Sequence, residues 1–163
     1  MRFLKRNRRE NTSIRKGRIE LSSSDYGTLN RLAYLYYLWT DKKITVTSGT
    51  RTAKEQAEAM YDNWRYHRNE THYGDQEAEE EIRESYEDSN RQHGGEARRG
   101  AMTSVIENQV RHHRFISPHL RGRAVDVRTR NMSSEEREIF DSLALSLHVN
   151  RLSEQDHYHL QFQ

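Results

Sequence analysis

Apolar residues recur along this chain with two different periods, and the change of period marks its elements. Leu29, Leu32, Ala33 and Tyr36 fall at helical spacing. Ser22-Ser23-Ser24-Asp25 ahead of them supplies N-capping side chains, so a helix is expected from about Tyr26 to Trp39. Its aromatic residues are expected to pack in a core rather than bind sugar. Lys43-Ile44-Thr45-Val46-Thr47 is rich in β-branched residues and reads as a strand that stops at Ser48-Gly49. Thr52 then caps a second helix running to about Trp64, with Ala53, Gln56, Ala57 and Met60 on its inner stripe. Later, Ala124–Arg128 alternates apolar and polar as a half-buried strand does, and Ser133-x-x-Glu136 is a capping box. The helix behind that box turns Ile139, Phe140, Leu143 and Leu147 inward. A short link, 148–155, leads to a closing strand of period two. Tyr158, Leu160 and Phe162 share one of its faces, and His157, His159 and Gln161 the other.

Between these patterned parts, residues 65–113 are mostly charged. Asp75 to Asp88 is acidic and predicts a solvent-exposed helix, broken near Gly94-Gly95. A further helix is expected over 101–113, with Met102, Val105, Ile106 and Val110 at workable spacing. So few apolar residues predict no core of its own, and the stretch reads as a charged helical insertion. The element order is then α–β–α–insertion–β–α–β. It predicts one α+β domain over 21–163, a small antiparallel sheet with flanking helices, behind a basic arm over 1–20.

Composition sharpens this in three places. The hydrophobic fraction is 33% and the charged fraction 32%, which predicts a small core with polar additions. The net charge is only +2, but residues 1–18 carry eight basic side chains against Glu10. Such an arm suits an anionic cell wall, nucleic acid or membrane surface, or a plain solvated terminus. There is no cysteine, which excludes a disulfide framework and a thiolate metal site, so any metal must be held by His, Asp and Glu. No apolar run approaches the ~20 residues of a membrane span. No secretory h-region follows the basic start, so synthesis in the cytoplasm without a signal peptide is expected.

The candidate chemistry lies in Ser117-Pro118-His119-Leu120-Arg121-Gly122-Arg123-Ala124-Val125-Asp126. His119 stands seven residues ahead of Asp126, with the small residues Gly122 and Ala124 between. If the strand around Asp126 pairs with the closing strand, Asp126 and His159 meet over one face and His119 comes in from the loop. Two imidazoles and a carboxylate with an open fourth position are the ligands of a catalytic zinc. The other histidines, His112-His113 among them, form no further pattern.

Ser117-x-His119-x-x-Gly122-x-Ala124-x-Asp126 resembles the signature of the zinc D-alanyl-D-alanine carboxypeptidases. That family also holds L-alanyl-D-glutamate endopeptidases of phage endolysins and shares its fold with the hedgehog signalling domain. Asp156-His157-Tyr158-His159 is similar to the family's C-terminal (D/E)-x-x-H, which makes His159 the third zinc ligand beside His119 and Asp126. Val46-Thr47-Ser48-Gly49-Thr50-Arg51-Thr52 resembles the family's strand followed by an arginine. The resemblance implies that Arg51 and Ser117 bind the substrate's carboxylate, and Gln56 matches a glutamine common five residues after that arginine. It covers about 25–64 and 114–163.

The resemblance assigns proton transfer to Asp156. Strand parity sets 156 opposite 159, so Asp156 serves only if the chain is still turning there. His157 shares parity with His159 and suits an acid or an oxyanion stabiliser. Glu154 is a third candidate, fitting E-x-x-H if His157 were the ligand. All three stay open, ranked in that order. The expected function is zinc-dependent hydrolysis of peptidoglycan stem peptides, as a carboxypeptidase or an endopeptidase, acting at the cell wall after phage-type release or as a virion component. A non-catalytic zinc-stabilised binding module, or a virion structural protein of the same fold, is the alternative.

Overall fold

A computed structural model describes residues 12–14, 19–66, 73–88, 94–154 and 156–162. The chain divides into two compact units, Met1–Thr50 with Gly122–Gln163, and Arg51–Arg121.

The first, a sheet unit, is α+β. It contains β1 (Thr12–Ile14), α1 (Ser23–Thr40), β2 (Ile44–Ser48), β3 (Ala124–Arg128), α5 (Ser134–Ser146), β4 (Asn150–Ser153) and β5 (His157–Gln161). The sheet order is β1-β2-β3-β5-β4. β2, β3, β5 and β4 form an antiparallel set, and β1 adds a parallel edge beside β2. Part of the expected basic arm is therefore a strand; residues 1–11 and 15–18 lie outside the described residues.

Ser22 caps α1 by accepting from the Asp25 amide, and Ser133 and Glu136 form both halves of the expected capping box on α5. Leu29, Leu32, Ala33 and Tyr36 of α1 and Phe140 and Ala144 of α5 join one core with Val46, Val125, Val127, Tyr158, Leu160 and Phe162. Tyr36 meets Phe140 edge-on at 5.7 Å. The period-two reading of 157–162 holds, since Tyr158, Leu160 and Phe162 are all buried. The link expected over 148–155 is instead largely β4. Asn-Arg-Leu-Ser shows no apolar alternation, and Leu152 is exposed. Backbone pairing with β5 makes this strand, not burial.

The second, a helical unit, contains α2 (Ala53–Arg65), α3 (Gln76–Asp88), α4 (Gly95–Arg111) and a 3-10 turn (Pro118–Arg121). Thr52 caps α2 with Glu55 in a full capping box. Here the reading of the insertion is completed and one boundary is corrected. The 65–113 stretch does contribute to a core: Ala78, Ile82, Met102 and Ile106 pack with Ala57, Met60 and Tyr61 of α2 and with Ile116. Its own apolar residues are few, but α2 on one side and Ile116 on the other complete the set. α3 has ended at Asp88 and Gly94 is the extended cap of the next helix, so the expected break lies there, but α4 begins six residues before the expected Ala101.

The acidic helix α3 is not a bare solvated face either. Ala78 and Ile82, four apart, are fully buried. Asp75 caps it through the Ala78 amide at 2.9 Å. Arg114 gathers Glu81 at 2.8 Å, Asp75 at 3.6 Å and Glu77 at 3.7 Å. The buried Gln109 amide donates to the Ala78 carbonyl and to Glu81.

Candidate metal centre

In the sheet unit the register does the positioning. Asp126 of β3 stands directly opposite His159 of β5, and Ser48 of β2 flanks Asp126 on its other side. The expected meeting of these two residues is therefore present. The side chains touch, with His159 Nδ1 3.0 Å from Asp126 Oδ1. That separation is near the ~3.3 Å edge of a tetrahedron with zinc-ligand bonds of about 2.0 Å. Asp126 is 5% exposed. A carboxylate so far from water needs a compensating positive charge or strong donors.

Gly122, the small residue of the signature, has φ +64, and a Cβ there would run into the Glu20 carbonyl oxygen. Only glycine turns the chain into β3 at this point without strain. Ala124 is fully buried at the first position of β3.

His157 lies beside the pair, on the same face of β5. Its Nε2 is 3.2 Å from Glu154 and 3.9 Å from Asp126, and its Nδ1 is 2.9 Å from Asp156. The hydrogen bond to Glu154 raises the imidazole pKa to about 9; burial works against this, and Asp156, Asp126 and the Glu154 charge add to it. The same bonds hold Glu154 and Asp156 below the usual carboxylate range. The three proton-carrier candidates thus form one chain, Glu154 to His157 to Asp156. Asp156 precedes β5, and its carboxylate bonds to His157 Nδ1. Glu154, ranked last from sequence, contacts His157 because the β4–β5 turn folds back on itself, with the Glu154 amide donating to the His157 carbonyl at 2.9 Å.

In the helical unit the remaining signature residues gather around the 3-10 turn. His119 is 2% exposed and Ser117 5%. The His119 amide donates to Ser117 Oγ at 3.3 Å, and the His119 carbonyl accepts from the Arg51 amide at 3.2 Å. Arg51 in turn donates through Nη1 to Gln56 Oε1 at 3.3 Å. Gln56 is fully buried on α2, which fixes the guanidinium at the helix start. Arg51, Thr52 and Ala53 line a cleft of about 550 Å³, closed on the other side by Glu107, Val110 and Arg111 of α4, with Leu120 from the turn. Sequence reasoning missed Glu107 and Arg111. Their spacing of four on one helix face was the signal that could have found them.

Within the sheet unit Asp126 and His159 are donors that could share a metal ion, and the signature expects His119 as the third. The set fits zinc by chemistry: two imidazoles and one carboxylate, with no thiolate. The chain matches no family model, no curated protein and no solved structure. No helix among the described residues is long and apolar enough to cross a membrane.

Proposed function

We propose that this chain is a zinc-dependent peptidase that hydrolyses the stem peptides of bacterial peptidoglycan, in a fold of the hedgehog and D-alanyl-D-alanine peptidase type. The observation that carries the reading is the β3–β5 register, which sets the Asp126 carboxylate against the His159 imidazole. His119 joins them as third ligand by its place in the signature.

When bound, zinc supplies an acidified water and polarises the scissile carbonyl. The chain's own residues do the rest. Arg51, held by Gln56, binds a substrate carboxylate together with Ser117. Glu154 and Asp156 are the carboxylates able to take the proton of the attacking water. His157, bonded on both ring nitrogens, relays that proton to the leaving amine. Water adds oxygen to the carbonyl carbon, the C–N bond breaks, and the products are a new carboxylate and a free amine.

The test is digestion of purified peptidoglycan by the full chain, with products read by mass. Cleavage is expected with zinc, lost on chelation and restored by zinc. The product masses distinguish carboxypeptidase from endopeptidase. His157→Ala is expected to lower kcat about 10²–10⁴-fold with zinc content unchanged. Cleavage that survives complete metal removal contradicts the proposal, and zinc binding without any product leaves a binding module instead.

A further inference from the structure

The cleft beside Arg51 holds two charges that the peptidase reading does not use. Glu107 and Arg111 stand one turn apart on α4, and both line it. A glutamate four residues before an arginine on a helix ordinarily closes an ion pair. On α3 the same spacing does close, with Glu79 2.9 Å from Arg83. Three residues beyond Arg111, Arg114 pairs with Asp75, Glu77 and Glu81. Among the described residues, Glu107 and Arg111 bond neither to each other nor to another side chain. Both are exposed, and between them Val110, with Ala53 and Leu120 nearby, offers an apolar floor.

We propose that Glu107 and Arg111 are a specificity pair for a zwitterion, an ammonium beside a carboxylate, carried on an aliphatic spacer by the peptide that occupies this cleft. The proposal deepens the peptidase reading and rests on it for the peptide nature of the ligand. With Arg51 as a second cation, the cleft suits two carboxylates, one ammonium and a short methylene chain. That is the chemistry of a diamino dicarboxylic acid residue. A cleft of about 550 Å³ is an ordinary size for such a ligand. A polyanion such as a nucleic-acid backbone suits it poorly, because Glu107 would repel successive phosphates.

The test is calorimetric binding to the zinc-loaded full chain, independent of turnover at low temperature. The probes are L-alanyl-γ-D-glutamyl-meso-diaminopimelic acid and the same peptide ending in L-lysine, which lacks the distal carboxylate. The native chain is expected to prefer the diaminopimelate peptide by about fivefold, as suits an exposed charge pair. Arg111→Gln is expected to erase that preference, and higher salt to shrink it. Acetylating the distal amine is expected to weaken binding to the native chain but not to Glu107→Gln. Both side chains are exposed, so the fold survives these changes. Equal affinity for the two peptides, a preference that persists in Arg111→Gln, or no binding of either at millimolar concentration overturns the pair. Hydrolysis is scored separately: cleavage of both peptides without discrimination removes the specificity pair and leaves the peptidase, whereas discrimination without cleavage does the reverse.

Discussion

The two units close their cores by different means. In the sheet unit apolar and polar residues alternate cleanly, so one face of β5 is core and the other carries the titratable groups. Asp126 and His159 are thereby forced together in a place with little water. In the helical unit apolar residues are sparse, and three helices must pool them before a core exists. Its charges stay near solvent, where some tie helices together, as Arg114 does, and others line a cleft, as Arg51, Glu107 and Arg111 do. Buried charge costs several kcal/mol unless it is matched, whereas exposed charge costs little. The sheet unit thus sets a buried carboxylate against an imidazole, and the helical unit keeps its charges at a solvent-facing cleft.

Core deletions give the largest test of that contrast. Phe140→Ala is expected to destabilise the protein by about 3–5 kcal/mol and Ile82→Ala by about 2–5 kcal/mol, measured by urea unfolding. Despite its acidic surroundings, Ile82 is fully buried. A cost below about 1 kcal/mol for Ile82→Ala would mean that the helical unit has no packed core and that the two units are less alike than described. Gly122→Ala comes next, at about 1–3 kcal/mol, because a side chain at φ +64 also meets the Glu20 carbonyl. An unchanged unfolding midpoint would remove the strained turn as the reason for glycine in the signature.

The smallest effect distinguishes the units by pH. Gln109, and after it Arg114, hold Glu81 below its ordinary pKa of 4.5, and the Ala78 amide with Arg114 holds Asp75 below 3.8. A carboxylate with a depressed folded pKa contributes stability above its unfolded value and loses it as pH falls through the folded one. Thermal stability is therefore expected to decline as pH drops below about 4.5, and the share of that decline due to Arg114 to vanish in Arg114→Met. An identical acid profile in that variant would remove Arg114 as a support of the acidic helix.

How much of this was legible in the sequence differs between the units for a physical reason. Period two in 157–162 fixed which residues face the core, and so placed His157 and His159 on one side. β4 was invisible because its strand character comes from a partner, β5, and not from its own side chains. The second core was missed because it is assembled from fragments between Ala57 and Ile116, each too weak to signal by itself. Ala78 and Ile82 sit among acids that dominate any local reading. The place of Glu154 depended on a hairpin that followed from the same unseen strand.

The central claim is that His119, Asp126 and His159 serve one ion. Equilibrium dialysis of the full chain against zinc tests it most directly. One zinc per chain is expected, with affinity falling roughly a hundredfold or more in each of His119→Ala, Asp126→Ala and His159→Ala. Unchanged zinc affinity in His119→Ala, with the other two variants impaired, would contradict the three-ligand centre.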